Sequence, residues 1–270
     1  RDVRDRERLA GAGEALAIAD VPGGAAAARA IMTTDTVPKT AQRTAQGVTI
    51  GGMAKGAGML APALATMLVV ITTDAILDPT AAERALRYAA TNSFDRIDAD
   101  GCMSTNDTVI LMASGASGIT LDEAAFADLL TEVCVDLAAQ LIADAEGASK
   151  DIAITVRGAR DVDDALEVAR AVARSNLLKC AIHGEDPNWG RVLAAAGTTA
   201  AAFEPDGVDV AMNGVWVCRG GGIGEDRSLV SLAGRRVDIM IDLHTGAAEA
   251  TVLTNDLTAD YVHENSAYAT

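Results

Sequence analysis

Two spacings of apolar residues alternate along this chain. Residues 4–20 and 25–31 repeat apolar positions at helical spacing, separated by the break "VPGG" at 21–24. The β-branched "IMTTDTVPKTA" predicts a short extended segment ended by Pro38. "GVTIGGMAKGAGMLAP" is strand-like at first and glycine-punctuated afterwards, and "TMLVVITTDA" has the length and β-branched content of a buried strand. Asp78-Pro79-Thr80 opens a helix running to about Ala90, with Thr80 and Glu83 spaced as a capping box. A second such pair, Thr120 and Glu123, starts the longest helix, which ends near Gly147. Its apolar stripe is Phe126, Leu129, Leu130, Val133, Leu137, Leu141 and Ile142.

"DIAITVRGA" then reads as a strand. "DVDDALEVARAVARSNLL" reads as an amphipathic helix with acids at its N-terminal end, where the helix dipole favours them. From Val208 the texture turns to strands. Asn213-Gly214 sits between alternating segments, a strong hairpin signal, and a second hairpin is expected around His244-Thr245-Gly246. Helices mixed with antiparallel-looking hairpins predict an α/β or α+β layered fold, with no internal repeat.

With 270 residues there is ample chain for a core, in one large domain or two ordinary ones. Half of the residues are apolar but only 3% aromatic, so Ala, Val, Leu and Ile must fill that core. Asp and Glu (38) outnumber Lys and Arg (22), for a net charge of −16. Such a surface repels phosphate backbones and argues against general nucleic-acid binding. An anionic substrate would need a few placed cations and backbone donors. Cys102, Cys134, Cys180 and Cys218 lack metal-ligand spacing and read as reduced, buried thiols of a cytoplasmic protein. The three histidines are equally scattered, so no metal is expected. The longest apolar run, 67–71, is too short to span a bilayer. "RDVRDRERLAGAG" has no apolar core of a signal peptide and reads as mid-helix, so the chain is expected to lack its beginning.

Thr66 interrupts an apolar run just after a glycine-rich turn. One reading is a strand-end hydroxyl that needs only a backbone partner. The other is an N-terminal nucleophile. If the bond between Ala65 and Thr66 were cut, the residue would carry both a hydroxyl and a free amine able to take its proton. Lys55, among small residues, is either solvated or a carboxylate clamp. Gly56-Ala57-Gly58 lacks the ending of a phosphate loop. "HGEDPNWGRV" (183–192) is an Asx-Pro turn or part of a site, and "DGCMSTNDTV" (100–109) a hydrogen-bonded turn entering a strand. The terminal "YVHENSAYAT" is by itself a chain end.

Taken in order, "IMTTDTVPK", "GGMAKGAGMLAPALATML", "STNDTV", "DAEG", "GEDPNWGR" and "ENSAYAT" resemble the bifunctional ornithine/glutamate acetyltransferases of arginine biosynthesis over nearly the whole chain. The resemblance implies a self-processing fold of the N-terminal-nucleophile type, cut between Ala65 and Thr66. Residues 1–65 would then be the end of an α chain and 66–270 the β chain, the two staying together as α2β2. It further implies that Thr66 takes acetyl from N-acetylornithine as an ester and passes it to glutamate, with no cofactor and with acetyl-CoA as a donor in some members. Carried over by motif, the substrate-binding positions are Thr33, Lys55, Thr66, Glu146, Asn265 and Thr270.

One departure stands beside the match. The family's Ser-Thr-Gly stretch, whose Thr and Gly form the oxyanion hole, does not occur between Arg1 and Thr66. Each such donor is worth roughly 10²–10³ in rate, so the chain is expected to be a fragment with reduced activity. Two rivals remain: a self-processing aminopeptidase-like hydrolase with water as acceptor, and a catalytically silent interaction subunit.

Overall fold

Gln46 and Gly47 both sit at positive φ (51° and 78°), which turns the chain back tightly between two strands, Lys39–Ala45 (β1) and Val48–Lys55 (β2). The computed structural model describes residues 21–58, 67–102, 104 and 106–267. The helix expected over 4–20, the bond between Ala65 and Thr66, and Thr270 lie outside them. The described chain forms two compact units, Arg1–Asp95 with Cys102–Ala145, and Arg96–Gly101 with Glu146–Thr270.

The first unit is built on a four-stranded sheet in the order β1-β2-β3-β4, where β3 is Leu68–Thr73 and β4 is Thr108–Ala113. β1, β2 and β3 run antiparallel to their neighbours, and β4 lies parallel to β3. Strand β3 does not have both faces buried as its β-branched run implied. Val69, Ile71 and Thr73 are buried, while Leu68 and Thr72 are exposed. Val48, Ile50, Ala54, Val69 and Ile71 face the helix Glu123–Ala143 (α3), whose stripe from Phe126 to Ile142 is buried as its spacing predicted. The approach is close: a Cβ on Gly52 would stand 3.0 Å from Leu137 Cδ1.

Several boundaries differ from the sequence reading. The "VPGG" stretch is no break but the first turn of Val21–Ala30 (α1), because a proline in the first turn removes an N–H that needs no partner there. Strand β1 begins after Pro38, and the preceding "TTDTVP" is irregular. In Pro79–Thr91 (α2) the cap is Asp78, whose side chain accepts from the Thr80 and Ala81 N–H groups. Pro79 prefers the first helical position, so the cap falls one residue before it. In α3 the cap is likewise Asp122, not Thr120, and the helix stops at Ala143. Cys102 and Cys180 are exposed, against the expectation of four buried thiols. Cys134 is buried, which pushes its thiol up to about 12.

The second unit carries a six-stranded sheet in the order β10-β5-β9-β6-β7-β8. Its strands are Asp151–Ala159 (β5), Asp209–Met212 (β6), Val215–Arg219 (β7), Gly222–Ile223 (β8), Arg236–Asp242 (β9) and Ala248–Asn255 (β10). The helices Val162–Ala173 (α4), Asn176–His183 (α5) and Trp189–Ala196 (α6) supply Val168, Val172, Ile182 and Val192 to the core, and Ala259–Ala267 (α7) ends the described chain. The single helix expected over 161–178 is two, because the Ser175 hydroxyl caps a new start by accepting from Leu178 N. The Asn213-Gly214 hairpin is present, with φ of 46° and 85°. The second hairpin is not. Strands β9 and β10 each pair with β5, one on either side. The intervening turn crosses the end of β5, where Gly158 C=O accepts from Thr245 N (2.7 Å) and Gly246 N (2.9 Å). Strand β5, with Ile152, Ile154 and Val156 all buried, offers both edges for pairing and so separates the two.

Because α3 packs so closely on β2, Leu137→Ala should destabilise the protein by about 2–5 kcal/mol. Urea denaturation checks this as a lowered midpoint with an unchanged slope.

Candidate active site

A lysine side chain with no solvent exposure organises the end of the first sheet. Lys39 opens β1 on the face toward α3, opposite Ala54. Its Nζ donates to Asp35 Oδ1 at 2.7 Å and to Asp144 Oδ2 at 2.5 Å. Asp144 is the residue at which α3 ends, so the cation also meets the negative end of that helix. A charge this deep persists only if it is paired and hydrogen-bonded.

The two carboxylates then reach outward. Asp35 accepts from Thr33 N (3.0 Å) and from Gly56 N (2.7 Å), and Asp144 accepts from Thr36 N (3.0 Å) and the Thr36 hydroxyl. Burial acts to raise Asp35, but the Gly56 N–H, the Lys39 ammonium and the Thr33 N–H outweigh it and hold the carboxyl below the ordinary range. Gly56 has a φ of 151°, a conformation that glycine supplies without strain. Its N–H is thereby bound just where β2 ends at Lys55.

Two positions carried over by motif meet here. Lys55 is 4% exposed, and its Nζ lies 3.5 Å from the Thr33 hydroxyl. It is therefore not the solvated lysine that was one of its two readings. In the sheet, Lys55 stands opposite Leu68, two residues beyond Thr66. On the other side of β3, Met67 N–H donates to Asp107 Oδ1 at 2.7 Å, and Met67 C=O accepts from Thr108 N at 3.0 Å. Both backbone polar groups of the residue following Thr66 are thus held. The start of β3 lies between β2, which ends in a buried cation, and the Asp107-Thr108 entry to β4.

Glu146 and Asn265 belong to the second unit. Glu146 is half-buried in a turn whose next residue, Gly147, has a φ of 63°. A Cβ on Gly147 would stand 2.2 Å from Tyr261 N, so this turn presses directly against the first turn of α7. Thr258 Oγ1 ties the two by donating to Gly147 C=O (2.6 Å) and accepting from Tyr261 N (2.8 Å). One turn along α7, Asn265 Nδ2 donates to Tyr261 C=O at 3.0 Å. The chain end is helical up to Ala267, so Asn265 is placed on a helix joined to the Glu146 turn.

Ser149, His183 and Asp256 also converge in this unit, but as a clasp. The Ser149 hydroxyl donates straight to Asp256 Oδ2, which also lies 2.9 Å from His183 Nδ1. In a hydrolytic triad the imidazole stands between hydroxyl and carboxylate and uses both of its nitrogens. Here one nitrogen faces both groups. Asp256 Oδ1 further accepts from the backbone N–H groups of Ser149 (2.9 Å) and Lys150 (2.8 Å). Among the described residues no group of three or more His, Cys, Asp or Glu side chains could hold a metal ion, and no helix is long and apolar enough to cross a membrane.

Asp35, Lys39, Asp107 and Asp144 were given no role by sequence reasoning, although each lies inside or beside a quoted motif. The available signal was opposite charge at Asp35 and Lys39, four residues apart on either side of Pro38.

A model of the ArgJ family matches residues 5–270. The Arginine biosynthesis bifunctional protein ArgJ of Thermobifida fusca is 65% identical over 262 residues, covering 97% of this chain and 68% of that protein. The protein of the same description from Streptomyces avermitilis is 64% identical, with the same shares covered, and that of Mycobacterium leprae is 54% identical over 92% of this chain and 61% of its own length. The crystal structure of Arginine biosynthesis bifunctional protein argJ from Bacillus halodurans matches with a TM-score of 0.70 at 34% identity, over 74% of this chain and 98% of that one. The layered α/β architecture is therefore that of a known fold.

Asp144→Ala would leave the Lys39 ammonium with one carboxylate fewer in a dry site. It should cost about 3–5 kcal/mol, read as a lowered denaturation midpoint. A folded-state value below the ordinary one at Asp35 means that its contribution is complete above the ordinary carboxylate range. It is lost as the pH falls through the lowered value. Acid titration of wild-type stability should show that loss only on the acidic side of the ordinary range.

Proposed function

The chain belongs to the ArgJ family, and from that membership we propose that it is an acetyltransferase of arginine biosynthesis in which Thr66 carries the acetyl group. The bond between Ala65 and Thr66 is cut by the protein itself, leaving Thr66 as the first residue of a second chain. The observation that carries this reading is the grip on Met67: its N–H and C=O are both fixed, with the buried Lys55 across the sheet. A nucleophile that must meet a carbonyl carbon within a fraction of an ångström needs such a preorganised start to its strand.

In this reading the Thr66 hydroxyl attacks the acetyl carbon of N-acetylornithine while its own α-amine takes the hydroxyl proton. The carbon–nitrogen bond of the amide breaks, the proton passes to the leaving amine, and ornithine departs. Glutamate then attacks the ester carbon with its amine, the carbon–oxygen bond breaks, and the hydroxyl is regenerated. Lys55 holds a substrate carboxylate, with Thr33 beside it. Glu146 takes an ornithine ammonium, and Asn265 and Thr270 complete the substrate contacts. No cofactor is required; acetyl-CoA enters, where it is used, as an alternative donor.

The two products of scission stay together as α2β2. The pairing of β2 with β3, from Ile50 opposite Thr73 to Lys55 opposite Leu68, lies across the cut and supports the two pieces staying together. The location that fits this biosynthetic role and the exposed thiols of Cys102 and Cys180 is the cytoplasm.

Thr66→Ala should abolish both scission and acetyl transfer, whereas Thr66→Ser should retain part of each, judged by gel mobility and acetylglutamate formation in the full-length gene product. Acetylglutamate formation by the alanine variant would exclude Thr66 as the nucleophile. Lys55→Ala should raise KM for N-acetylornithine about tenfold or more, the loss of one charge-assisted contact. An unchanged KM in steady-state assays would remove Lys55 from the substrate site.

A further inference from the structure

Side chains from the end of β10 and its link to α7 read the backbone of the segment that follows Glu146. Asn255 Nδ2 donates to Lys150 C=O at 3.1 Å. Asp256 Oδ1 accepts from Lys150 N (2.8 Å) and Ser149 N (2.9 Å). Thr258 Oγ1 donates to Gly147 C=O at 2.6 Å. Asn255, Asp256 and Thr258 are all buried, so water competes little for these bonds.

Thr258 does more than hold the link. It precedes α7 and accepts from Tyr261 N at 2.8 Å, the bond by which a helix start is capped. Capping uses only the lone pairs of the hydroxyl, and its proton goes to Gly147 C=O. One oxygen atom thus joins the Glu146 turn to the helix that carries Asn265. We propose that Thr258 is a positioning residue for N-acetylornithine, fixing the Glu146 turn against α7 so that the carboxylate meets the substrate's side-chain ammonium from a set backbone.

The turn is built to be held this way. Gly147 has a φ of 63°, and a Cβ there would collide with the Asp260–Tyr261 backbone, so a glycine lets the turn close onto the helix. A binding side chain whose backbone is locked beforehand loses less freedom when its ligand arrives. N-acetylornithine carries its acetyl group on the α-nitrogen, which leaves one free ammonium, at the end of the side chain. Glutamate has a carboxylate there. A residue that acts through Glu146 therefore bears on one substrate and not on the other.

The role rests on the reading of Glu146 as partner of an ornithine ammonium, and the test separates the two. Thr258→Asp keeps a good capping acceptor for Tyr261 N but has no proton for Gly147. In the full-length gene product it should raise KM for N-acetylornithine roughly tenfold and leave KM for glutamate unchanged. The added negative charge by itself would draw an ammonium in, so such a rise reports the lost tie. A role in helix capping alone would leave both KM values at those of wild type. Thr258→Ser, which keeps both bonds, should match wild type. A second measurement needs no variant: ornithine bound to the wild-type protein should slow hydrogen exchange at the Tyr261 amide, and glutamate should not. This measurement decides the matter if the aspartate variant does not fold. A wild-type KM for N-acetylornithine in that variant, a rise shared equally by both substrates, a serine variant as impaired as the aspartate one, or Tyr261 exchange indifferent to ornithine overturns the proposal. A wild-type KM for N-acetylornithine in Glu146→Gln overturns the reading of Glu146 instead.

Discussion

The ammonium of Lys39, sealed between Asp35 and Asp144, is the constraint on which the first unit depends. A buried lysine is tolerated only when its charge is matched and its donors are filled. Meeting that demand draws together three separate pieces of chain: the loop before β1, the strand itself and the end of α3. The carboxylates that neutralise it have spare oxygens and lone pairs, and these bind Thr33 N, Thr36 N and Gly56 N. One charge thus fixes both the loop that carries Thr33 and the turn that follows Lys55. An apolar residue at position 39 would leave two carboxylates without their cation and the loop without its anchor.

From that anchor the geometry passes through the sheet. Lys55 stands opposite Leu68, and Leu68 opposite Thr108, so the order of strands sets a cation and a carboxylate on either side of the start of β3. Backbone hydrogen bonds between β2 and β3 do not require chain continuity between them. The register from Ile50 opposite Thr73 to Lys55 opposite Leu68 is therefore a property of the sheet and not of the connection.

Much of the fold was legible in the sequence. The α3 stripe, strand β5 and the Asn213-Gly214 turn all follow from local rules of spacing and turn chemistry. Helix starts were misplaced where an acceptable threonine competed with a nearby aspartate: Asp78 and Asp122 are the caps. The expected hairpin at His244 failed for a different reason. Periodicity identifies strands but not partners, and β5 stands between β9 and β10 through contacts distant in sequence. In the site, Lys55 and Thr33 were named through their motifs, and their meeting is a fact of the fold. Asp35, Lys39 and Asp107 were passed over because an acid or a lysine in a polar stretch looks solvated until tertiary structure buries it.

If Thr66, freed by scission, carries the acetyl group, the acetylated residue can be identified between the two half-reactions. Incubating the full-length gene product with N-acetylornithine in the absence of glutamate, quenching in acid and mapping the peptides by mass spectrometry tests it directly. The expected result is a chain that begins at Thr66 and carries one acetyl group on that residue, lost when glutamate is added before the quench. An uncut chain, or an acetyl group found on any other residue, would contradict it.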